Sequence, residues 1–231
     1  MTATLLVAFA LGVRHGTDPD HLTAIDGLSR IRPRGSNGLL FAIGHGSIVT
    51  LLAAGVGRVF ADHLSFAGPW MLIAIGLVNA VRLTRNSPGR GAPLKPVVTQ
   101  PFLLGMLLAA GFETASQLSA LILAGHVNPW LFGAAFSSGM MIVDGLDGYL
   151  AASTLSLAAA GGANAKGAST FLGVLVVVFS IGLGGAELIG FELNPYALPI
   201  GLTLFALVVG ARVWARTAWQ PWGANVSGSL G

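Results

Sequence analysis

The 231-residue chain contains no cysteine. That excludes structural disulfides, thiolate metal sites and dithiol redox chemistry. Charge is also scarce: Asp, Glu, Lys and Arg together make up 9% of the residues, so there is too little polar surface for an ordinary soluble domain. No Gly-x4-Gly-Lys-Ser/Thr sequence occurs, which leaves no P-loop for ATP. The formal charge is +3, but the Lys and Arg residues are scattered among short loops without an aromatic-interleaved basic face. Nucleic acid is therefore not an expected partner.

Apolar residues and glycine are abundant. The chain is 54% hydrophobic and holds 33 glycines, a composition of polytopic membrane proteins in which small residues let helices approach closely. A span needs about 20 mostly apolar residues. That criterion predicts an all-α transmembrane bundle of about seven spans, at residues 2–28, 37–58, 65–84, 99–125, 129–160, 168–189 and 196–214. Isolated strands cannot satisfy their backbone in lipid, and apolar runs such as 172–181 are too continuous for barrel alternation. The whole chain reads as one transporter domain, with 220–231 as a flexible tail. The N-terminus lacks a basic n-region and runs on into further apolar sequence, so it reads as a retained span and not a cleaved signal.

Loop charges predict the orientation. Arg30, Arg32, Arg34, Arg82, Arg85, Arg90, Lys95, Lys166, Arg212 and Arg216 fall on one side of this topology, and only Arg58 on the other. Basic loops stay in the cytoplasm, so the N-terminus is expected outside and the C-terminus inside, in a cytoplasmic (inner) membrane. Pro88, Pro93 and Pro96 with Gly89 and Gly91 mark a linker between three spans and four. The first and fourth spans carry central polar motifs and run in opposite directions, which permits an inverted repeat. Trp70, Trp130, Trp214 and Trp219 read as interfacial anchors, and His63 and His126 as solvated residues of the outer loops.

The polar motifs carry the chemistry. Arg14, His15, Asp18, Asp20 and His21 crowd into eight residues of the first span, where ionisable groups are costly and point to function. On a regular helix His15 and His21 would lie about 120° apart. Gly16 and Pro19 predict a break that turns both imidazoles and Asp20 toward one point. Imidazole with carboxylate suits divalent nickel, cobalt or zinc. His45 sits between Gly44 and Gly46 in the second span. Glu113 and Gln117 share a helix face beside Thr114, and Asp144 and Asp147 share another. An ion pair between Arg14 and one of these acids is the plainer reading of any single acid.

The stretch Arg14-His15-Gly16-Thr17-Asp18-Pro19-Asp20-His21 resembles the His-x4-Asp-His signature of the nickel/cobalt transporter (NiCoT) family. Phe41–Ser47, Gly111–Gln117 and Gly139–Gly148 resemble three further motifs of that family, in the same order. Glu113 stands where the family has Asp, Gln117 where it has Glu, and Gly145 where it has Thr. The family usually has eight spans with the signature in the second, so this chain reads as a short member lacking the first.

The resemblance implies a secondary transporter for Ni2+ or Co2+, most simply for uptake, and not an enzyme. The expected metal set is His15, Asp18, Asp20, His21 and His45, with Arg14, Glu113, Thr114, Gln117, Asp144 and Asp147 along the path. The expected partners are the divalent cation and the lipid bilayer, with no resident cofactor. A metal-capturing subunit of a larger transporter, a metal exporter and a membrane metalloenzyme are the alternatives; no separate nucleophile or substrate motif supports the last.

Overall fold

The computed structural model describes residues 2–55, 66–84, 100–111, 121, 122, 124, 125 and 127–217. Its regular structure there is helical: α1 (Thr2–His15), α2 (Pro19–Ile31), α3 (Asn37–Ala53), α4 (Ala67–Thr84), α5 (Pro101–Gly111), α6 (Pro129–Ala159), α7 (Ala163–Leu188) and α8 (Asn194–Arg216). Three stretches, Ala67–Thr84, Ala163–Leu188 and Pro195–Arg216, are long and apolar enough to cross a bilayer.

Large apolar side chains cover the outside, among them Ile142, Leu146 and Tyr149 on α6, Val174 and Val178 on α7, and Leu202 and Val213 on α8. Ionisable groups sit inside: His15, His21, His45 and Asp144 have no solvent exposure at all. This inversion of the soluble pattern is what a lipid surround favours, because apolar groups lose nothing by facing acyl chains and polar ones must pair within the bundle. The chain is a multi-pass helical membrane bundle.

The first predicted span, 2–28, is two helices. Asp18 precedes a proline, whose ring pushes the preceding residue out of the α region, and its backbone is extended at φ −65° and ψ 145°. Pro19 then occupies the first turn of α2, where its missing N–H costs nothing. Between the helices the chain turns tightly, with Thr17 N–H bonded to the Arg14 carbonyl at 3.0 Å and Asp18 N–H to that of His15 at 2.9 Å. At the start of α6, Asn128 caps the helix, its Oδ1 accepting from the backbone N–H of Trp130 (2.9 Å) and Leu131 (3.3 Å).

Three apolar clusters hold the helices. One joins α2, α3, α4, α5 and α7 through Ile25, Leu28, Phe41, Leu72, Ile75 and Leu104. A second joins α1, α3 and α6 through Ala8, Ala42, Val49, Phe132, Phe136 and Met140. The third joins α2, α7 and α8 through Leu22, Leu172, Leu204 and Val208. The α1–α6 crossing is a backbone contact: a Cβ on Gly12 would strike the Phe136 carbonyl, and one on Gly139 the Phe9 carbonyl. Small residues are needed there because no side chain can move aside.

Two residues expected among the loop charges are elsewhere. Arg212 lies inside α8, 3% exposed, and Arg30 lies inside α2 with its side chain 10% exposed. Both are held by acids, so they belong to the bundle interior and not to the basic loop surface. Glu113, Thr114, Gln117, His63, His126 and Trp219 lie outside the described residues.

Gly139→Leu is expected to lower the stability of the detergent-solubilised protein by ~3 kcal/mol or more, the upper end of overpacking costs. Gly182→Ala, where an added Cβ meets nothing within 4 Å, should hold or raise stability, by up to ~1 kcal/mol from helix propensity. Equal melting temperatures for the two variants would refute the backbone-contact account.

Candidate metal site

The break between α1 and α2 puts His15 at the end of one helix and His21 in the first turns of the next. Their rings meet edge-on, with centroids 4.5 Å apart. His45, from the middle of α3, completes a triangle at 4.8 Å from the His15 ring and 4.5 Å from the His21 ring. One ligand nitrogen from each of the three lies within 4.8 Å of the other two. Apolar rings close the cluster: Phe136 stands 5.4 Å from His15, and Phe41 stands 4.9 Å from His21.

Two carboxylates orient the imidazoles. His15 Nδ1 donates to Asp18 Oδ2 at 2.8 Å, and His21 Nδ1 donates to Asp144 Oδ2 at 3.0 Å. An ionised carboxylate only accepts, so these contacts assign the proton to Nδ1 in both rings and leave Nε2 with its lone pair. That is the arrangement in which metal-binding histidines are held by an outer carboxylate. His15 Nε2 lies 2.9 Å from His45 Nε2. Ligand nitrogens about 2.1 Å from one ion are about 3.0 Å apart at right angles and about 4.2 Å apart across it, by the usual metal–imidazole distance. The triangle is close to those spacings.

Buried polar atoms without a hydrogen-bond partner among the described residues gather at the same place: His21 Nε2, His45 Nδ1, Asp20 Oδ2 and Asp144 Oδ1. Such atoms are costly in a low-dielectric interior unless something else satisfies them. A divalent cation would do so, and imidazole nitrogen with carboxylate oxygen suits nickel and its neighbours.

Of the residues singled out in the sequence, the structure brings together His15, Asp18, His21, His45 and Asp144. Asp18 and Asp144 face imidazole nitrogens and so act on the site through them. Asp20 is buried, 3% exposed, in the first turn of α2. Arg14 forms no ion pair among the described residues. The arginine that pairs with the acids is Arg212, whose Nη1 donates to Asp147 at 2.6 Å and Nη2 to Asp26 at 3.2 Å. Asp147 thus faces α8 and not the histidines. Asp26 was missed in the sequence, although a carboxylate four residues before Arg30 in an apolar stretch was a readable signal.

Comparisons with known proteins point the same way. Residues 1–65 match the family model NicO, described as a high-affinity nickel-transport protein. The hydrogenase nickel incorporation protein HupN of Bradyrhizobium diazoefficiens is 31% identical, over 64% of this chain and 54% of its own. A high-affinity nickel transport protein of Cupriavidus necator is 28% identical over 65% of this chain and 59% of its own. The cobalt transport protein NhlF of Rhodococcus rhodochrous is 44% identical over a shorter stretch, 21% of this chain and 15% of its own. The chain thus spans little more than half the length of the first two of these relatives. No solved structure matches it.

Asp18→Asn removes the acceptor that fixes the His15 proton on Nδ1. Ni2+ affinity of the purified protein, read by calorimetry, is expected to fall 10–100-fold, the usual effect of an outer carboxylate. His21→Ala should cost more, because it removes a ligand. An unchanged affinity in both variants would remove this cluster from consideration.

Proposed function

This chain belongs to the nickel/cobalt transporter family, and from that premise we propose that it carries Ni2+ or Co2+ across the cytoplasmic membrane as a secondary transporter, in the uptake direction. The observation that carries the reading is the triangle of His15, His21 and His45, fully buried in an apolar bundle and oriented by two carboxylates. A hydrated dication cannot enter such an interior unless protein ligands replace its water. Three imidazoles present neutral nitrogen for that exchange, and the acids Asp18, Asp20 and Asp144 supply compensating negative charge without binding through sulfur.

In this reading His15, His21 and His45 bind the ion directly. Asp18 and Asp144 set the tautomers of His15 and His21, and Asp20, with an oxygen that has no partner among the described residues, is the carboxylate ligand. Binding requires deprotonated ligands, so metal entry and proton release are linked. Arg32, Arg34, Lys166 and Arg216, all at one set of helix ends, support a cytoplasmic C-terminus and an outside N-terminus. The lack of a P-loop and of a nucleophile beside the cluster supports transport without ATP hydrolysis or other catalysis by this chain.

The test is uptake of Ni2+ and Co2+ by the purified chain in liposomes with no partner present. Flux should be saturable, and His15→Ala and His21→Ala should each reduce it at least ~100-fold, the scale of losing about 3 kcal/mol of ligand binding. Wild-type flux in both variants would reject the site. Metal binding without flux would instead favour a capture subunit that depends on another protein.

A further inference from the structure

Beneath the histidine triangle lies a second buried polar assembly that the metal site does not use. Asp26 on α2 accepts from Arg30 Nε at 2.7 Å and from Arg212 Nη2 at 3.2 Å. Asp147 on α6 accepts from Arg212 Nη1 at 2.6 Å. Arg30 also reaches Ser169 Oγ on α7 at 3.4 Å. Two acids balance two arginines, and Asp26, Asp147 and Arg212 are all 4% exposed or less.

Position makes this more than a helix clamp. Asp147 follows Asp144 by three residues, so it lies one turn further along the same face of α6. Asp26 lies just beyond His21 on α2. The two helices that present His21 and Asp144 to the metal site are therefore the two that Arg212 ties to α8. The direction is toward the helix ends that carry Arg32, Arg34, Arg82, Lys166 and Arg216. Asp147 Oδ2 and Arg212 Nε have no hydrogen-bond partner among the described residues, so the network is not saturated and can re-pair. Asp144 Oδ1 and Asp147 Oδ2 then form a short file of unengaged carboxylate oxygens leading from the triangle to Arg212. A buried ionic cluster stabilises little more than well-packed apolar groups would, and a switch is its best-supported use.

We infer that Arg212, held between Asp26 and Asp147, is a tethered internal cation that closes the basic end of the pathway below the metal site and yields Asp147 to a divalent cation on its way out. This rests on the transport reading above for the identity of the cargo. A dication reaching Asp147 competes with the guanidinium for one carboxylate; Arg212 keeps Asp26, and the α6–α8 contact loosens while α2–α8 holds. In the absence of metal the guanidinium fills the place of the missing charge.

The absence of cysteine supplies the assay. Ala151, 1% exposed and one turn beyond Asp147 on α6, is replaced by cysteine in the full chain reconstituted in vesicles. A membrane-impermeant methanethiosulfonate is applied from the basic end. With Arg212 intact and no metal, labelling should be slow. Arg212→Gln should speed it at least tenfold, and Ni2+ should speed it several-fold in the intact chain and not in the variant. Arg212→Gln leaves unbalanced acids and can misfold, so Arg212→Gln combined with Asp147→Asn is measured beside it. A purely structural salt bridge predicts that this charge-balanced pair regains slow labelling, whereas an exit closure predicts that it stays fast. Labelling within twofold of the intact chain in both variants overturns the proposal, as does an intact chain indifferent to Ni2+. Liposome uptake by the intact chain is read separately: fast labelling in the variants with no nickel flux in the parent would sink the cargo assignment and leave the closure standing.

Discussion

Every ring nitrogen and carboxylate buried in a lipid-embedded bundle must have a partner, and the structure is arranged around that constraint. Water is not there to supply the missing hydrogen bonds, so an imidazole held inside needs an acceptor for its proton and a use for its lone pair. Asp18 and Asp144 meet the first need for His15 and His21. They come from different places, one three residues from its histidine and the other from α6, so a local turn and a long-range helix contact are both required. Removing either acid from such a buried pair leaves the other group uncompensated, at a cost on the order of 3–5 kcal/mol.

The packing follows from that requirement. Asp144 can reach His21 only if α6 lies against α2 and α3, and the backbone approach at Gly38 makes room for it: an added Cβ there would strike the Asp144 carbonyl. Gly16, in the break, is hemmed by Val143 and by Asp144 Oδ1, whose nearest approach to a Cβ built there would be 3.1 Å. The glycines of the polar motifs are thus spacers that bring α6 close enough for its carboxylate to serve the histidines. Phe41 and Phe136 then exclude lipid and solvent from the rings, which keeps the local dielectric low and strengthens every contact inside.

Much of this was readable from the chain itself, and what was not has a physical reason. The helical class follows from continuous apolar runs, and the break from Gly16 and from proline following Asp18, because these act through local sterics. The crowding of His15, Asp18 and His21 in one short stretch marked the site for the same reason. Long-range pairing was a different matter. Arg14 seemed the natural partner for the acids because it is close in sequence, yet the pairing arginine is Arg212, nearly two hundred residues from Asp26. Nothing in spacing or composition encodes which helix lies beside which. Arg30 and Arg212 near predicted span ends look like loop charges until tertiary contacts show their heads turned inward. Asp144 and Asp147 share a helix face, but the sequence could not say that one serves a histidine and the other an arginine.

That division of labour between two acids one turn apart is the feature that connects binding to movement. A site that only stored metal would gain from saturating every carboxylate near it, since each unpaired oxygen weakens the fold. Here Asp144 and Asp147 each keep one oxygen without a partner among the described residues, and Arg212 keeps Nε in the same state. Fully satisfied networks hold one arrangement rigidly; partly satisfied ones have alternatives of similar energy. A carrier needs its ligands tight enough to strip water from an ion and loose enough to give it up. Tautomer control at His15 and His21 supplies the first, and a graded series of half-engaged carboxylates leading to a displaceable guanidinium supplies the second.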